Sequence, residues 1–480
     1  MNHIQKIIQN TSFLLISNIF SYIIGFLTIT YTAIYFGAEN FGILSLALAF
    51  TGLFGVLMDL GLNSWMIREI AKDKSITNKY YSNIAVLKII FSILTFFLIV
   101  LVVSIIGYSQ TVANTIYLIT LSMIFNSFYG TFNSVFTAYE KMLHPSISII
   151  LNSILLFLGI LITMYYQSGI IFFATWYIIS SLIVLVYSVI SYSYKFHLPK
   201  FEIDTGFWKS TIKEAWPFGV TTMLISIYYW IDSLILSIMV GNEAVGWYNA
   251  AYRLISVLLF IPIVFNTAIF PVMSKFYGTS SDYLKISFEK YFKYITIIAI
   301  PMGVGITILA NKIISLVFGL AYVNSIIALQ ILVWSAVFVF MSGAFARLLE
   351  VSNKQLVLTK ISAILVIINI SLNVVLIPTF SYVGASIVTV ITELLSFLLC
   401  VIVVSNIHYR LSKQELVSVI KIGAASVIMG IFIISLEYVN LILLIVLAVI
   451  VYLITLYIFK VFDDNDIKIF RKIIDRTETN

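Results

Sequence analysis

Gly37-Ala38-Glu39-Asn40-Phe41-Gly42 occurs a second time, as Gly241-Asn242-Glu243-Ala244-Val245-Gly246. Each copy links two long apolar stretches. Outward from the loops the match continues without a gap: Ile34 falls on Ile238 and Ala47 on Ala251. A repeat of about 200 residues is far longer than a solenoid or propeller unit, so it reads as a duplicated half-protein. In a chain this apolar, duplicated halves imply a carrier with its site between them. The expectation is movement of a solute across a membrane rather than chemical change.

Composition sets the class. Hydrophobic residues make up 61% of the chain and charged residues 10%, with a mean hydropathy of +1.07. A soluble domain carries roughly 25% charged residues, so this chain cannot cover a globular surface and is expected to be an integral membrane protein. The single cysteine, Cys400, lies in an apolar run and excludes a disulfide framework or a cysteine-based metal site. The net charge of +7 sits in short loops between apolar stretches, which fits membrane topology and not nucleic-acid binding. The first apolar run is too long for a cleavable signal peptide and has no small-residue cleavage site.

A helix needs about 20 apolar residues to cross the hydrocarbon. That criterion predicts spans at 12–36, 42–64, 81–107, 112–138, 146–166 and 169–194 in the first half. The second half gives 215–240, 244–272, 285–310, 322–346, 356–378, 382–407, 417–437 and 439–460. Lysine and arginine then choose the orientation. One set of loops holds Arg68, Lys72, Lys79, Lys141, Lys195, Lys209, Lys275, Lys290, Arg347, Lys354, Arg410 and Lys413, together with both termini. The opposite loops carry Lys312 and almost nothing else. Both termini are therefore expected in the cytoplasm.

The two copies begin an even number of spans apart, so they cross in the same direction, related by an axis along the membrane normal. The expected fold is all-α with about 14 transmembrane helices. It has an N-lobe of spans 1–6 (1–195), a cytoplasmic linker (196–213) and a C-lobe of spans 7–12 (214–410). Spans 13 and 14 (411–462) lie outside the duplication. In the tail (463–480), Ile467, Phe470 and Ile474 have helical spacing. An amphipathic helix on the inner leaflet and a solvated tail are both open.

A parallel six-span duplication with two extra spans resembles the polysaccharide branch of the multidrug/oligosaccharidyl-lipid/polysaccharide exporter superfamily. The local text resembles Wzx-type oligosaccharide flippases: Asn10-Thr11-Ser12-Phe13, Tyr35-Phe36-Gly37, Trp230-Ile231-Asp232-Ser233 and Gly246-Trp247-Tyr248-Asn249-Ala250-Ala251-Tyr252-Arg253. The resemblance implies translocation of a polyprenyl-diphosphate-linked oligosaccharide from the inner to the outer leaflet of a bacterial plasma membrane. It would serve O-antigen (lipopolysaccharide), capsule or exopolysaccharide synthesis. It further implies membrane lipid, a polysaccharide polymerase and chain-length machinery as partners, no nucleic acid and no bound cofactor. Coupling to a proton or sodium gradient is open.

Such a cargo needs a water-filled, partly cationic cavity, because polar groups are costly in hydrocarbon. Charges at membrane depth are the candidates. Asp232 and Arg253 lie at similar depth either side of the second repeat loop. In one reading Arg253 contacts phosphate or an acidic sugar, and Asp232 holds it or takes up a cation or proton. In the other they are a structural ion pair. Asn249, Tyr228 and Tyr229, one turn away, offer hydrogen bonds or stacking surfaces. Glu393, near the middle of span 12, is read as a coupling or gating group or as a satisfied structural carboxylate. Lys88 either binds the diphosphate or snorkels to the head groups. Asp59, with Asn63 and close to Arg68 and Glu69, is a cytoplasmic gate or an interfacial network. Asn18, Asn126, Asn133, Asn152, Asn266, Asn369 and Asn373 are expected mostly as interhelical hydrogen-bonding groups. The repeated loops are turns or the seal of an outward gate.

Two rivals remain. A cation-coupled multidrug or metabolite antiporter of the same superfamily usually has twelve spans and a carboxylate in the first. Span 1 here (Phe13 to Phe36) has no charge, and spans 13–14 are additional. A membrane-embedded glycan polymerase would need charged outer loops. Here those loops are short, with Glu39, Glu243, Lys312 and Glu437, and the four histidines (3, 144, 197 and 408) are scattered. No His or Cys cluster, paired outer carboxylates or nucleotide-phosphate loop is present, so an enzyme is not expected.

Overall fold

The computed structural model describes residues 3–196, 202–407, 409–436, 438–463 and 466. The proposed tail helix, with Ile467, Phe470 and Ile474, lies outside the described residues, as do His197, His408 and Glu437. Among the described residues every regular element is helical. Besides two short 3-10 helices (Lys74–Ile76 and Leu320–Tyr322), these are in chain order α1 (His3–Phe54), α2 (Val56–Asp59), α3 (Leu62–Lys72), α4 (Thr77–Ile106), α5 (Gln110–Ala138), α6 (Leu143–Tyr165), α7 (Ile170–Phe196) and α8 (Thr205–Met239). They continue with α9 (Asn242–Leu258), α10 (Phe260–Phe276), α11 (Ser281–Val317), α12 (Ser325–Val351), α13 (Gln355–Asn406), α14 (Lys413–Ser435) and α15 (Leu441–Ile458).

Twelve helical segments among the described residues are long and apolar enough to cross a membrane. Two of them, α1 and α13, contain 52 residues each. At 1.5 Å per residue that is about 78 Å, against a hydrocarbon core of about 30 Å. Each breaks once: α1 at Gly37 (φ 68°, ψ 178°) and α13 at Ser381 (φ 54°, ψ −139°). Both breaks fall where the sequence predicts a connection, so each long helix is two spans and the total is fourteen. The protein is a multi-pass membrane protein.

Several span boundaries differ from expectation, and three of them have a local cause in the backbone. Span 2 does not run unbroken to 64. Leu60 (φ 45°) and Gly61 (φ 81°) are both left-handed and set α3 off from α2. Gly61 approaches the second half so closely that a Cβ there would lie 2.6 Å from the Gly219 nitrogen and 2.7 Å from the Ala215 carbonyl oxygen. Span 7 begins at Thr205 rather than 215, because Asp204 caps α8 by accepting the Phe207 N–H (3.1 Å). Span 8 is divided into α9 and α10 at Leu259; Pro262, in the first turn of α10, has no N–H to continue the ladder.

The chain packs as two compact units. One comprises Met1–Ala250 with Asn369–Ala385, the other Ala251–Ile368 with Ser386–Asn480. The first unit holds two apolar clusters, around Leu46, Phe50, Ile116 and Phe173 and around Leu62, Met66, Ile84 and Phe136. Its outer surface is also apolar: Ile93, Leu94, Phe97, Leu101 and Ile105 form an exposed stripe along α4, as a lipid-facing helix requires. Buried hydroxyls return to the helix backbone, as Thr32 Oγ1 does to the Thr28 carbonyl (2.6 Å) and Thr120 to Ile116 (2.7 Å). Several asparagines join helices as expected: Ser180 donates to Asn152 Oδ1 (2.6 Å), and in the second unit Tyr291 donates to Asn266 Oδ1 (2.7 Å). Asn18 instead faces outward.

In the second unit Asp463 and Asp466 are clasped to α11. Lys290 Nζ lies 2.6 Å from both Asp463 Oδ2 and Asp466 Oδ1, and Lys293 Nζ lies 2.6 Å from Asp466 Oδ2. The Tyr294 hydroxyl donates to Asp466 Oδ1 (2.6 Å). Burial raises the Asp466 pKa, but the hydrogen bonds from Lys290, Lys293 and Tyr294 outweigh it and hold the carboxyl well below the usual carboxylate range. The clasp follows α15 directly. It fixes span 14 to span 9.

Candidate functional site

The two copies of the repeated loop pack on each other. A Cβ at Gly42 would collide with the carbonyl oxygen of Asn242 and lie 2.9 Å from the Gly246 nitrogen. A Cβ at Gly246 would collide with the carbonyl oxygen of Ala38. Position 38 in the first copy corresponds to 242 in the second, and 42 to 246. Each glycine therefore meets the partner copy's equivalent of the residue its own counterpart meets, as in a twofold-symmetric interface. Only glycine permits the approach. The contact lies at the lysine-poor end of the spans.

Behind it, α8 carries Asp232, 4% exposed. Tyr248 of α9 donates its hydroxyl to Asp232 Oδ2 (2.9 Å), and Asn373 of α13 donates Nδ2 to Asp232 Oδ1 (2.6 Å). The Asn373 amide also donates to Asn369 Oδ1 (3.0 Å), one turn earlier on the same helix. Both N–H groups of Asn373 are thereby used, and its Oδ1 is buried with no hydrogen-bond partner. One carboxylate, two amide oxygens and a phenol thus meet in a buried spot of the first unit. Neutral donors supply these hydrogen bonds to the carboxylate.

Of the other candidates on these helices, Asn249 is buried and donates to Ser233 Oγ and to the Val245 carbonyl oxygen, both at 3.0 Å. Its amide joins α8 to α9. Tyr228 and Tyr229 are half-buried; the Tyr229 ring packs edge-on to Trp230, centroids 5.1 Å apart. A Cβ at Gly52 would meet the Trp230 indole, so the glycine in span 2 makes room for that ring.

Lys88 does not snorkel: its side chain is fully buried. Its ammonium donates to Asp59 Oδ1 (2.8 Å), Asn63 Oδ1 (2.8 Å) and the Ser127 carbonyl oxygen (3.1 Å). Those three bonds use all three ammonium hydrogens. Lys88 and Asp59 together stabilise the broken end of span 2. Arg68 and Glu69 form a separate group: Arg68 pairs with Glu69 (2.6 Å) and Glu214 (3.6 Å), and Lys72 with Glu69 (2.9 Å). The hydrogen bond from Lys72 is the largest cause acting on Glu69; burial opposes it, and the hydrogen bond from Arg68 joins Lys72 to leave the carboxyl below its usual value.

Arg253 and Glu393 are half-buried members of the second unit. The same unit contains an apolar cavity of about 420 Å³ between α11, α14 and α15, bordered by Pro301, Gly305, Met429, Ala448 and Tyr452. Sequence reasoning missed Tyr248 and could not separate Asn369 and Asn373 from the other intramembrane asparagines. Their spacing of four, on one helix face, was the available signal.

A duplicated set of membrane-spanning helices whose two repeat loops pack on each other, with a buried carboxylate on the helix that leads into the second loop, defines the class as a multi-pass carrier-type membrane protein. Comparison with known proteins narrows it. The chain belongs to the polysaccharide biosynthesis protein family, whose model matches residues 7–277, within the exporter superfamily that its sequence resembles. A second family model, MatE, matches residues 217–375.

Among relatives, the chain is 24% identical over 398 residues to the probable low-salt glycan biosynthesis flippase Agl15 of Haloferax volcanii, covering 79% of each. It is 27% identical over 267 residues to a membrane protein of Methanocaldococcus jannaschii, and that match spans only about half of either chain (53% and 52%). Among solved structures, lipid II flippase MurJ in an inward closed conformation superposes with a TM-score of 0.78 at 17% identity. The match covers 92% of this chain and 98% of that one. At that identity the likeness establishes the fold.

Proposed function

We propose that this protein is a flippase that moves polyprenyl-diphosphate-linked oligosaccharide repeat units from the inner to the outer leaflet of a bacterial plasma membrane. The product would feed O-antigen, capsule or exopolysaccharide synthesis through a polymerase and its chain-length machinery. The observation that carries the reading is the contact of the two repeat loops through Gly42 and Gly246. A carrier with parallel halves must close and reopen one end, and here the closure is made by corresponding residues of the two copies. Both termini lie in the cytoplasm in this reading, so the glycine contact is the outer gate.

Other features support it. The Haloferax volcanii relative is named a probable low-salt glycan biosynthesis flippase, and the fold is shared with a lipid II flippase, MurJ. The apolar cavity between α11, α14 and α15 suits an alkyl chain. In the mechanism we infer, Arg253 contacts phosphate or an acidic sugar and Glu393 takes part in gating. Uptake of a proton or sodium ion by Asp232, with Asn369 and Asn373, couples opening to an ion gradient. The same cluster, with the MatE match over residues 217–375, favours a second reading: a cation-coupled antiporter of small molecules.

Gene deletion separates the two. Under the flippase reading, surface polymer disappears and single repeat units accumulate on the lipid carrier in the inner leaflet. Normal surface glycan with altered sensitivity to cationic drugs would overturn it in favour of the antiporter.

A further inference from the structure

The lysine-poor end of the first unit contains an open cavity of about 540 Å³, apart from the Asp232 cluster and the glycine contact. It is formed where the end of span 1 meets the α6–α7 turn and the start of α5. Its borders include Tyr35, Phe36, Asn40, Thr111, Gln167 and Ser168.

The walls are held in place from behind. The turn closes through the Gln167 N–H to the Met164 carbonyl (3.1 Å) and the Ser168 N–H to the Thr163 carbonyl (3.0 Å), with Gln167 left-handed at φ 49°. The Tyr35 hydroxyl donates to the Ser168 carbonyl oxygen (3.1 Å), tying span 1 to the turn. The rings of Tyr35 and Phe36 meet edge to face at 4.8 Å, and Phe36 packs at 6.0 Å on fully buried Phe173. The polar side chains at the mouth are free to meet a ligand, since those of Thr111 and Gln167 are exposed.

The chemistry of the lining selects a ligand class. No Asp, Glu, Lys, Arg or His borders the cavity. A phosphate or carboxylate would call for arginine or lysine, and an ammonium for a carboxylate. What is present is aromatic rings beside primary amides and hydroxyls: the Thr111 hydroxyl and the Gln167 amide each offer a donor and an acceptor, while the Tyr35 hydroxyl and one Asn40 N–H are spent on the Ser168 and Phe36 carbonyls. A pyranose has the same two surfaces: an apolar C–H face for a ring, and an edge of hydroxyls that both donate and accept. The volume lies within the range of small-molecule sites, roughly 300–1,000 Å³. We propose that this cavity binds neutral sugar residues of the glycan as it emerges from the outer gate. The inference rests on the glycan reading above.

The test uses purified full-length protein in nanodiscs. The probe is the oligosaccharide released by mild acid from the host's own lipid-linked pool, labelled at its reducing end. Wild type should bind it, and Thr111→Ala/Gln167→Ala should bind roughly tenfold more weakly, the loss expected for two hydrogen bonds, with an unchanged unfolding temperature. Saturation-transfer NMR on wild type gives an independent readout, with transfer from aromatic protein protons to sugar C–H protons expected. Equal binding by wild type and double variant would overturn the cavity assignment and leave the glycan reading standing. Absence of binding to wild type would also overturn it, and the deletion phenotype would then decide the glycan reading by itself.

Discussion

Replacing Lys293 by methionine should be among the most destabilising single changes in the second unit. Its side chain is 1% exposed and its ammonium lies 2.6 Å from Asp466, which is fully buried. Without Lys293, Asp466 keeps Lys290 and Tyr294 but loses one of the two charges that compensate its burial. Breaking a buried pair by removing one partner costs about 3–5 kcal/mol. Asp466→Asn should cost a similar amount, because it leaves Lys293 with only the more distant Asp463 (3.8 Å). The double variant removes both charges and should cost clearly less than the sum of the two.

In a unit of this size a loss of about 3 kcal/mol lowers Tm by roughly 6–12 °C. Thermal unfolding of the purified protein in detergent reads all four corners of the cycle. The pH dependence follows from the lowered Asp466 pKa. Its contribution is complete above the unfolded-state value of about 3.9 and is lost only as pH falls through the lower folded value. The Tm gap between wild type and Asp466→Asn should therefore stay level from pH 8 to pH 5 and narrow below about pH 4. Additive single-variant losses, or singles indistinguishable from wild type, would refute the clasp.

Three further perturbations address the gate and the buried charges. Gly42→Ala or Gly246→Ala should abolish export while leaving protein level normal, whereas Gly25→Ala, which has no atom within 4 Å of its new methyl group, should export as wild type. Surface glycan staining and immunoblotting read both, and wild-type export by either loop variant would remove the gate. Lys88→Met should destabilise by about 1–3 kcal/mol, because the Asp59 it leaves is 29% exposed and partly hydrated, with partial recovery on adding Asp59→Asn. Equal unfolding temperatures for wild type and Lys88→Met would show that the buried ion pair contributes nothing. Asp232→Asn should flatten the dependence of export on sodium or pH, and Asn373→Ala should weaken it, as measured in vesicles with an imposed gradient; an unchanged gradient dependence would exclude coupling at that cluster.

The spans were legible because hydrophobic length is a local property: about 20 apolar residues declare a crossing whatever they later touch. The breaks inside α1 and α13 were legible too, since Gly37 and Ser381 sit between two such lengths. The division of span 2 was not, because Leu60 has no intrinsic preference for the left-handed conformation it adopts. Its position is set by Lys88 holding Asp59 and Asn63 from another helix. The clasp was hidden by separation: Lys293 and Asp466 stand 173 residues apart, and each reads alone as an ordinary basic or acidic residue near a loop. Asp232 was picked out by charge at membrane depth. Its partners Tyr248 and Asn373 carry no charge and could not be told from dozens of similar residues.

The repeat carried more than a topology. Two equivalent segments that meet across a twofold axis touch through the same residues from both sides, so any close approach imposes its constraint twice. Gly42 against Asn242 and Gly246 against Ala38 meet that condition within one chain. The third positions of the loops, Glu39 and Glu243, also match, whereas the intervening Asn40-Phe41 and Ala244-Val245 do not. Conversely, Gly37 and Gly241 match in sequence and both have positive φ, yet a Cβ at either meets no atom within 4 Å. The first glycine of each loop is thus required by the turn and the last by the contact. Alanine at 37 or 241 should accordingly strain the fold and lower protein level, while alanine at 42 or 246 should spare the turn and prevent closure. Protein level and export, measured on the same four variants, distinguish these two causes, and the assignment fails if both pairs lose the same property.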